Sequence, residues 1–186
     1  PPRAVAAINA IVVAWPAVRL LGEAPGAIEI RVLHEPPRAD ALLATLAAGT
    51  VAAIVEIVPA LPIQQSFGVT PMEVFQSIAS GIEGRPAFEG GMGSAVFGAA
   101  LHWVISLMFA GVWVAAVQRS ATLSRHFALW GIVYGLVAYV VMNWIVLPLS
   151  AAPFQTTHVP WRMAMSISFH LFLFGLPIAA VAHGVL

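Results

Sequence analysis

Glu56, His102, Asn143 and His170 can each accept, donate or hold a proton, and each lies inside a long apolar run. The stretch around His102, AALHWVISLMFAG, carries no formal charge. Several kinds of chemistry suit such a set. A carboxylate with two imidazoles can serve a small transporter or a proton or ion relay, because ionisable groups inside a membrane are costly unless they work or are paired. His102 and His170, on antiparallel helices, can be the two axial ligands of one haem. Either can instead bind the magnesium of a chlorophyll-type pigment, with Gly98, Ala99 and Ala95 making room for a ring. The plainest role is structural: the four side chains hydrogen-bond to one another and to backbone groups, fixing helix packing at about 0.6 kcal/mol per contact.

Other chemistry finds little footing. A zinc or iron centre of Glu56, His102 and His170 lacks any His-x-x-x-His or Glu-x-x-His spacing, so no metal site is expected. His34, His126 and His158 fall in loops and His183 at the end of the last span, where solvated side chains are the default. There is no cysteine, no Gly-x-Ser-x-Gly and no aspartate within a span, which removes the common nucleophiles and disulfides together. No enzyme is expected, and no cofactor.

The elements that hold these residues follow from composition. Hydrophobic residues make up 60% of the chain and charged residues 9%, with mean hydropathy +0.92. Soluble domains carry about 25% charged residues, so the solvent here is lipid. All eight basic residues are arginine and eight acids balance them, which leaves no net field to attract nucleic acid. A bilayer core about 30 Å thick takes roughly 20 apolar helical residues to cross. Four runs qualify: residues 41–61, 94–117, 129–149 and 163–184, with Glu56 the only acid or arginine inside any of them. Residues 4–15 form a shorter apolar stretch, nearer an interfacial helix than a span. The chain begins Pro1-Pro2, and this start suggests a processed or incompletely recorded N-terminus. The expected architecture is all-α: an up-down-up-down four-helix membrane bundle at 41–186, preceded by an interfacial or cytoplasmic segment at 1–40.

Arginine placement orients the bundle. Arg3, Arg19, Arg31 and Arg38 precede the first span and Arg119 and Arg125 lie between the second and third, whereas the intervening loop holds Glu73, Glu83 and Glu89 against Arg85. Both termini are therefore expected on the cytoplasmic side, with Trp130 and Trp161 at the headgroup level. The outer loop has a helix of its own over 71–80. Thr70 caps it, Pro71 takes its first position, Glu73 completes a capping box, Gly81 ends it, and Val74, Phe75, Ile78 and Ile82 form its apolar side. Such a helix lies on the outer surface or across the mouth of the bundle. The glycines of EGRPAFEGGMG lack the strand-loop-helix setting of a phosphate site.

With this topology Glu56 lies roughly 8 Å below the outer surface, His102 roughly 12 Å, Asn143 roughly 9 Å and His170 roughly 10 Å. One polar group per span thus falls in one layer. Mostly small residues share their faces: Ala52, Gly49 and Thr45 with Glu56; Ala95, Ala99 and Ser106 with His102; Gly135 and Gly131, in one column with Tyr139, below Asn143; Ser166 with His170. The polar side chains should therefore point inward. Gly131 and Gly135, a G-x-x-x-G, suit packing within the bundle or self-association equally.

QSIASGIEGRPAFEGG, the histidine early in the second span, LWGIVYG, MNWIVLPLSAAP and GLPIA together resemble the YagU-like group of small bacterial inner-membrane proteins, over residues 41–184. The resemblance implies a four-span bundle with a loop helix in the cytoplasmic membrane, and no particular activity. The expected role is a non-enzymatic structural or accessory component in contact with the lipid bilayer, with other membrane proteins or further copies of the chain as possible partners.

Overall fold

The computed structural model describes residues 18–21, 29–32, 38–156 and 158–186. The chain divides into two units, Pro1–Pro37 and Arg38–Leu186. In the first, β1 (Val18–Leu21) and β2 (Glu29–Val32) pair antiparallel, with Val18 opposite Val32 and Leu21 opposite Glu29. No strand is expected in this segment from the sequence pattern, although VRLL and EIRV include the β-branched residues that suit a pleated backbone. The apolar stretch 4–15, Arg3 and His34 lie outside the described residues.

The second unit is all-α. Its helices are α1 (Arg38–Ser66), α2 (Pro71–Glu83), α3 (Gly91–Val117), the short α4 (Ala121–Arg125), α5 (Phe127–Leu149) and α6 (Pro160–Val185), with a 3-10 turn at Arg85–Phe88. Four of these, α1, α3, α5 and α6, are long and apolar enough to cross a membrane, which makes the chain a membrane protein. Each starts earlier or runs later than the apolar run that announced it, because helix continues into flanking polar turns.

α2 forms as its sequence dictates at one end and not at the other. The capping box is complete: the backbone N–H and hydroxyl of Thr70 donate to Glu73 Oε2 at 2.7 and 2.8 Å, and the Glu73 N–H donates to Thr70 Oγ1 at 3.3 Å. Gly81 does not end the helix, however. It lies within the last turn, where its carbonyl accepts the Ala151 N–H at 2.9 Å, and the chain leaves the helix at Gly84 with φ +68°. That conformation needs a glycine, so the stop moves three residues downstream.

Two spans widen into π-helical turns, Met142–Val146 in α5 and Phe169–Gly175 in α6. Each is followed at once by Leu-Pro: Leu147-Pro148 and Leu176-Pro177. Proline lacks an N–H and its ring crowds the carbonyl four residues back; a wider upstream turn relieves both problems. Leu147 and Leu176 accordingly donate to carbonyls five residues back, those of Met142 and Leu171. Asn143 and His170 each sit on one of these turns.

α1 packs against both α3 and α6, and α5 packs along α6. Gly131 and Gly135 meet Gly175, Leu176 and the His170 backbone so closely that a Cβ on either glycine would overlap α6. The G-x-x-x-G therefore serves contact within the bundle. α3 and α5, though consecutive spans, barely approach one another through their backbones, leaving a seam that side chains must fill. At the end away from α2, a close-packed core of Ala44, Ala48, Ala52, Ala110, Ile178 and Ala182 fills the bundle. Large apolar side chains such as Leu43, Val104, Met108, Leu136 and Phe172 face outward, as lipid contact requires.

Candidate functional site

Glu56, His102, Asn143 and His170, one from each membrane-length helix, line a single cavity of about 620 Å³. Glu56 lies ten residues before the end of α1, His102 eleven after the start of α3 and His170 ten after the start of α6, each about 15 Å from the helix end. Asn143, six residues before the end of α5, is about 9 Å from it. Three of the four are thus deeper within their helices than the shorter apolar runs implied.

The four do not form a mutual hydrogen-bond network. His102 donates from Nε2 to the Ala53 carbonyl of α1 at 3.1 Å, and His170 donates from Nδ1 to the Ser166 carbonyl at 2.8 Å. The Asn143 side-chain amide donates to the Tyr139 carbonyl at 3.0 Å, while the Asn143 backbone carbonyl accepts from the Thr156 hydroxyl at 2.6 Å. The approach between two of the four is that of Glu56 Oε1 to His170 Nδ1 at 3.7 Å, beyond hydrogen-bond range and onto a nitrogen whose proton is already directed to Ser166.

These bonds fix the imidazoles. A ring nitrogen that meets a carbonyl must carry the proton, so neutral His102 keeps its lone pair on Nδ1 and neutral His170 on Nε2. Among the described residues those two nitrogens and the Glu56 oxygens have no hydrogen-bond partner, and none of them is a sealed, orphaned atom. They open onto accessible space, and the space their residues line is the cavity. Three open acceptors thus belong to its lining, beside the Asn143 and Gln64 amides and the Ser166 hydroxyl, which can donate as well as accept.

The walls are largely apolar. Ile57, Ile63, Ile105, Met165 and Phe169 line the sides, and Val74, Ile78 and Ile82 of α2 form a roof. The apolar stripe of α2 thus covers the cavity, with Ile82 also reaching solvent or lipid, while its other side holds to α3. Buried Gln76 donates to the Gly91 carbonyl at 3.0 Å, Ser94 donates to Glu83 Oε2 at 2.6 Å, and Gly98 lies directly under the Phe75 carbonyl. Of the small residues expected to make room for a haem or chlorophyll ring, Gly98 has α2 packed against it and Ala95 is buried. His102 also engages Nε2, the nitrogen an axial ligand commonly offers, so the two histidines do not present matching ligand atoms. Among the described residues no three His, Asp or Glu side chains gather as a metal site.

Below the cavity an aromatic chain closes the bundle. Phe174 contacts Phe109 edge-on at 5.5 Å, Phe109 contacts Tyr134 at 6.2 Å, and Tyr134 lies 5.2 Å from Trp113. The Tyr134 hydroxyl donates to the Phe109 carbonyl at 2.8 Å, bridging the seam between α3 and α5. Nothing in the sequence signals this role of Tyr134, nor the places of Gln64, Ser77 and Ser150, which also line the cavity. Only the prolines after Asn143 and His170 could have signalled widened turns. Among the other histidines, His183 stacks on Phe127 at 4.3 Å and His158 meets Trp144 edge-on at 6.3 Å, so neither is merely solvated.

Comparison with protein families, with curated proteins and with solved structures finds no match for this chain.

Proposed function

We propose that this protein is a non-enzymatic accessory component of a bacterial cytoplasmic membrane that holds one small lipophilic molecule in the cavity under α2. The observation that carries this reading is the convergence of four polar side chains, one from each long helix, on one largely apolar space of about 620 Å³. Ligand cavities typically measure about 300–1,000 Å³ and combine apolar walls with a few placed polar groups. A bundle that used the four residues only for packing would join them to one another, and their bonds instead run to backbone carbonyls. The poor backbone contact between α3 and α5 offers a side route from the bilayer. Hydroxyls along the cavity wall support a binding rather than a catalytic role: those of Ser77, Ser106 and Ser150 donate to backbone carbonyls, so they are not activated by a histidine. The likeness to the YagU-like group agrees with the location.

Filling the cavity tests the reading. Ile105 lines it from α3, and Ile105→Trp places a larger apolar side chain there. The protein purified in lipid nanodiscs should yield about one bound small molecule per chain on organic extraction and mass spectrometry, and Ile105→Trp should lose it while keeping the helical far-UV spectrum. An empty wild-type chain whose Tm simply rises when the void is filled would overturn the proposal.

A further inference from the structure

Resting on the reading of this cavity as a ligand site, the geometry points to the chemistry of the ligand's head: we infer that it is an ammonium bearing N–H groups, carried on an apolar body. Beside the Asn143 and Gln64 amides and the Ser166 hydroxyl, which can donate as well as accept, the cavity lining offers three acceptors left open by the protein: the Glu56 carboxyl, His102 Nδ1 and His170 Nε2. Both imidazole N–H groups are held by backbone carbonyls, so neither histidine has a neutral-form donor to give. A primary ammonium carries three N–H donors and no acceptor, the complement of those three. Charge points the same way. Glu56 is the one acid among the cavity-lining residues, and no arginine lines the cavity. An anionic head would meet a carboxyl with no cation to offset it, whereas a cation buried at this depth is stabilised by Glu56.

A second observation asks for the same partner. Glu56 has only 15% of its side chain exposed, yet no donor lies within hydrogen-bond reach; the nearest ring nitrogen is 3.7 Å away and engaged elsewhere. A carboxyl in such a setting gains most from a ligand that brings its own N–H groups. The aromatic faces of Phe109, Phe169 and Phe174 add a surface that favours a cation over an anion. They do not discriminate between ammonium types; the nitrogen and oxygen acceptors do, by requiring N–H.

Three probes with the same tail separate the possibilities: dodecylammonium, dodecyltrimethylammonium and dodecanoate. Each is titrated into the full chain in nanodiscs with 15N-labelled histidine rings, the His102 and His170 signals being assigned with His102→Asn and His170→Asn. Dodecylammonium should move both signals saturably, and Glu56→Gln, nearly isosteric, should raise its Kd at least tenfold with Tm little changed. Equal response to the trimethylammonium probe, tighter binding of dodecanoate, or an unchanged Kd in Glu56→Gln would overturn the inference and leave the cavity as a ligand site. If no probe of any charge moves either signal, the ligand-site reading falls with it. Should Glu56→Gln fail to fold, the ranking of the three probes on the unaltered chain decides alone.

Discussion

A histidine in hydrocarbon is defined by where its one proton goes. In His102 and His170 that proton is held by the Ala53 and Ser166 carbonyls, on different ring nitrogens, and the remaining lone pairs give the cavity its acceptor character. Outside the membrane-length helices a second carboxylate shows the opposite setting. The backbone N–H of Thr70, and then its hydroxyl, hold the Glu73 carboxyl below the usual carboxylate range. A folded-state value below the unfolded one stabilises the cap at pH above the ordinary carboxylate range, and the stabilisation is lost as pH falls through the lower, folded value. Amide hydrogen exchange in the first turn of α2 should therefore accelerate on acidification. Glu73→Gln, which keeps a capping-box acceptor, should flatten that dependence; exchange in the variant that remains as acid-sensitive as in wild type would show that the cap does not set it.

Elements meet here through absent side chains. α2 docks on α3 because Gly98 leaves room for the Phe75 carbonyl, and the contact is secured by Gln76 and by the Ser94–Glu83 hydrogen bond. Any side chain at position 98 overlaps backbone that cannot swing aside, and overpacking of this kind typically costs about 1–3 kcal/mol. Gly98→Val should release α2, seen as protease cleavage between residues 66 and 91 while the four long helices persist; a variant as resistant as wild type would mean that α2 is held elsewhere. The π-helical turns are a second device of the same scale. By lodging Asn143 and His170 on widened backbone just before Pro148 and Pro177, they open space in an otherwise regular bundle.

Over the whole second unit the two ends of the bundle differ. The α2 end is hollow and polar-floored, and the other end is packed with alanine beneath the Phe174–Phe109–Tyr134–Trp113 chain. On the proposed reading, that arrangement suits holding a molecule rather than passing it through. Proteoliposomes of the wild-type chain should be proton-tight, and Tyr134→Ala, which removes the bridge across the α3–α5 seam, should make them leak. Loss of this half-buried ring and its hydrogen bond should also lower Tm. A wild-type chain that conducts as well as the variant would show that the aromatic chain is no seal.

Composition and spacing alone determined the solvent, the number of long helices, the capped helix between the first two, and the four polar positions. Each of these is a local property: an apolar run long enough to span lipid, or a Glu three residues after a Thr, means much the same in any tertiary context. A lone Glu or His in such a run is visible for the same reason. What the tertiary structure decided was the use of these residues. Whether Gly98 makes room for a ring or for a helix depends on which segment folds back onto it, and α2 does. Which imidazole nitrogen is left open depends on where a carbonyl of another turn or another helix falls. A cavity is a mismatch between surfaces far apart in the chain, so no stretch of sequence contains it.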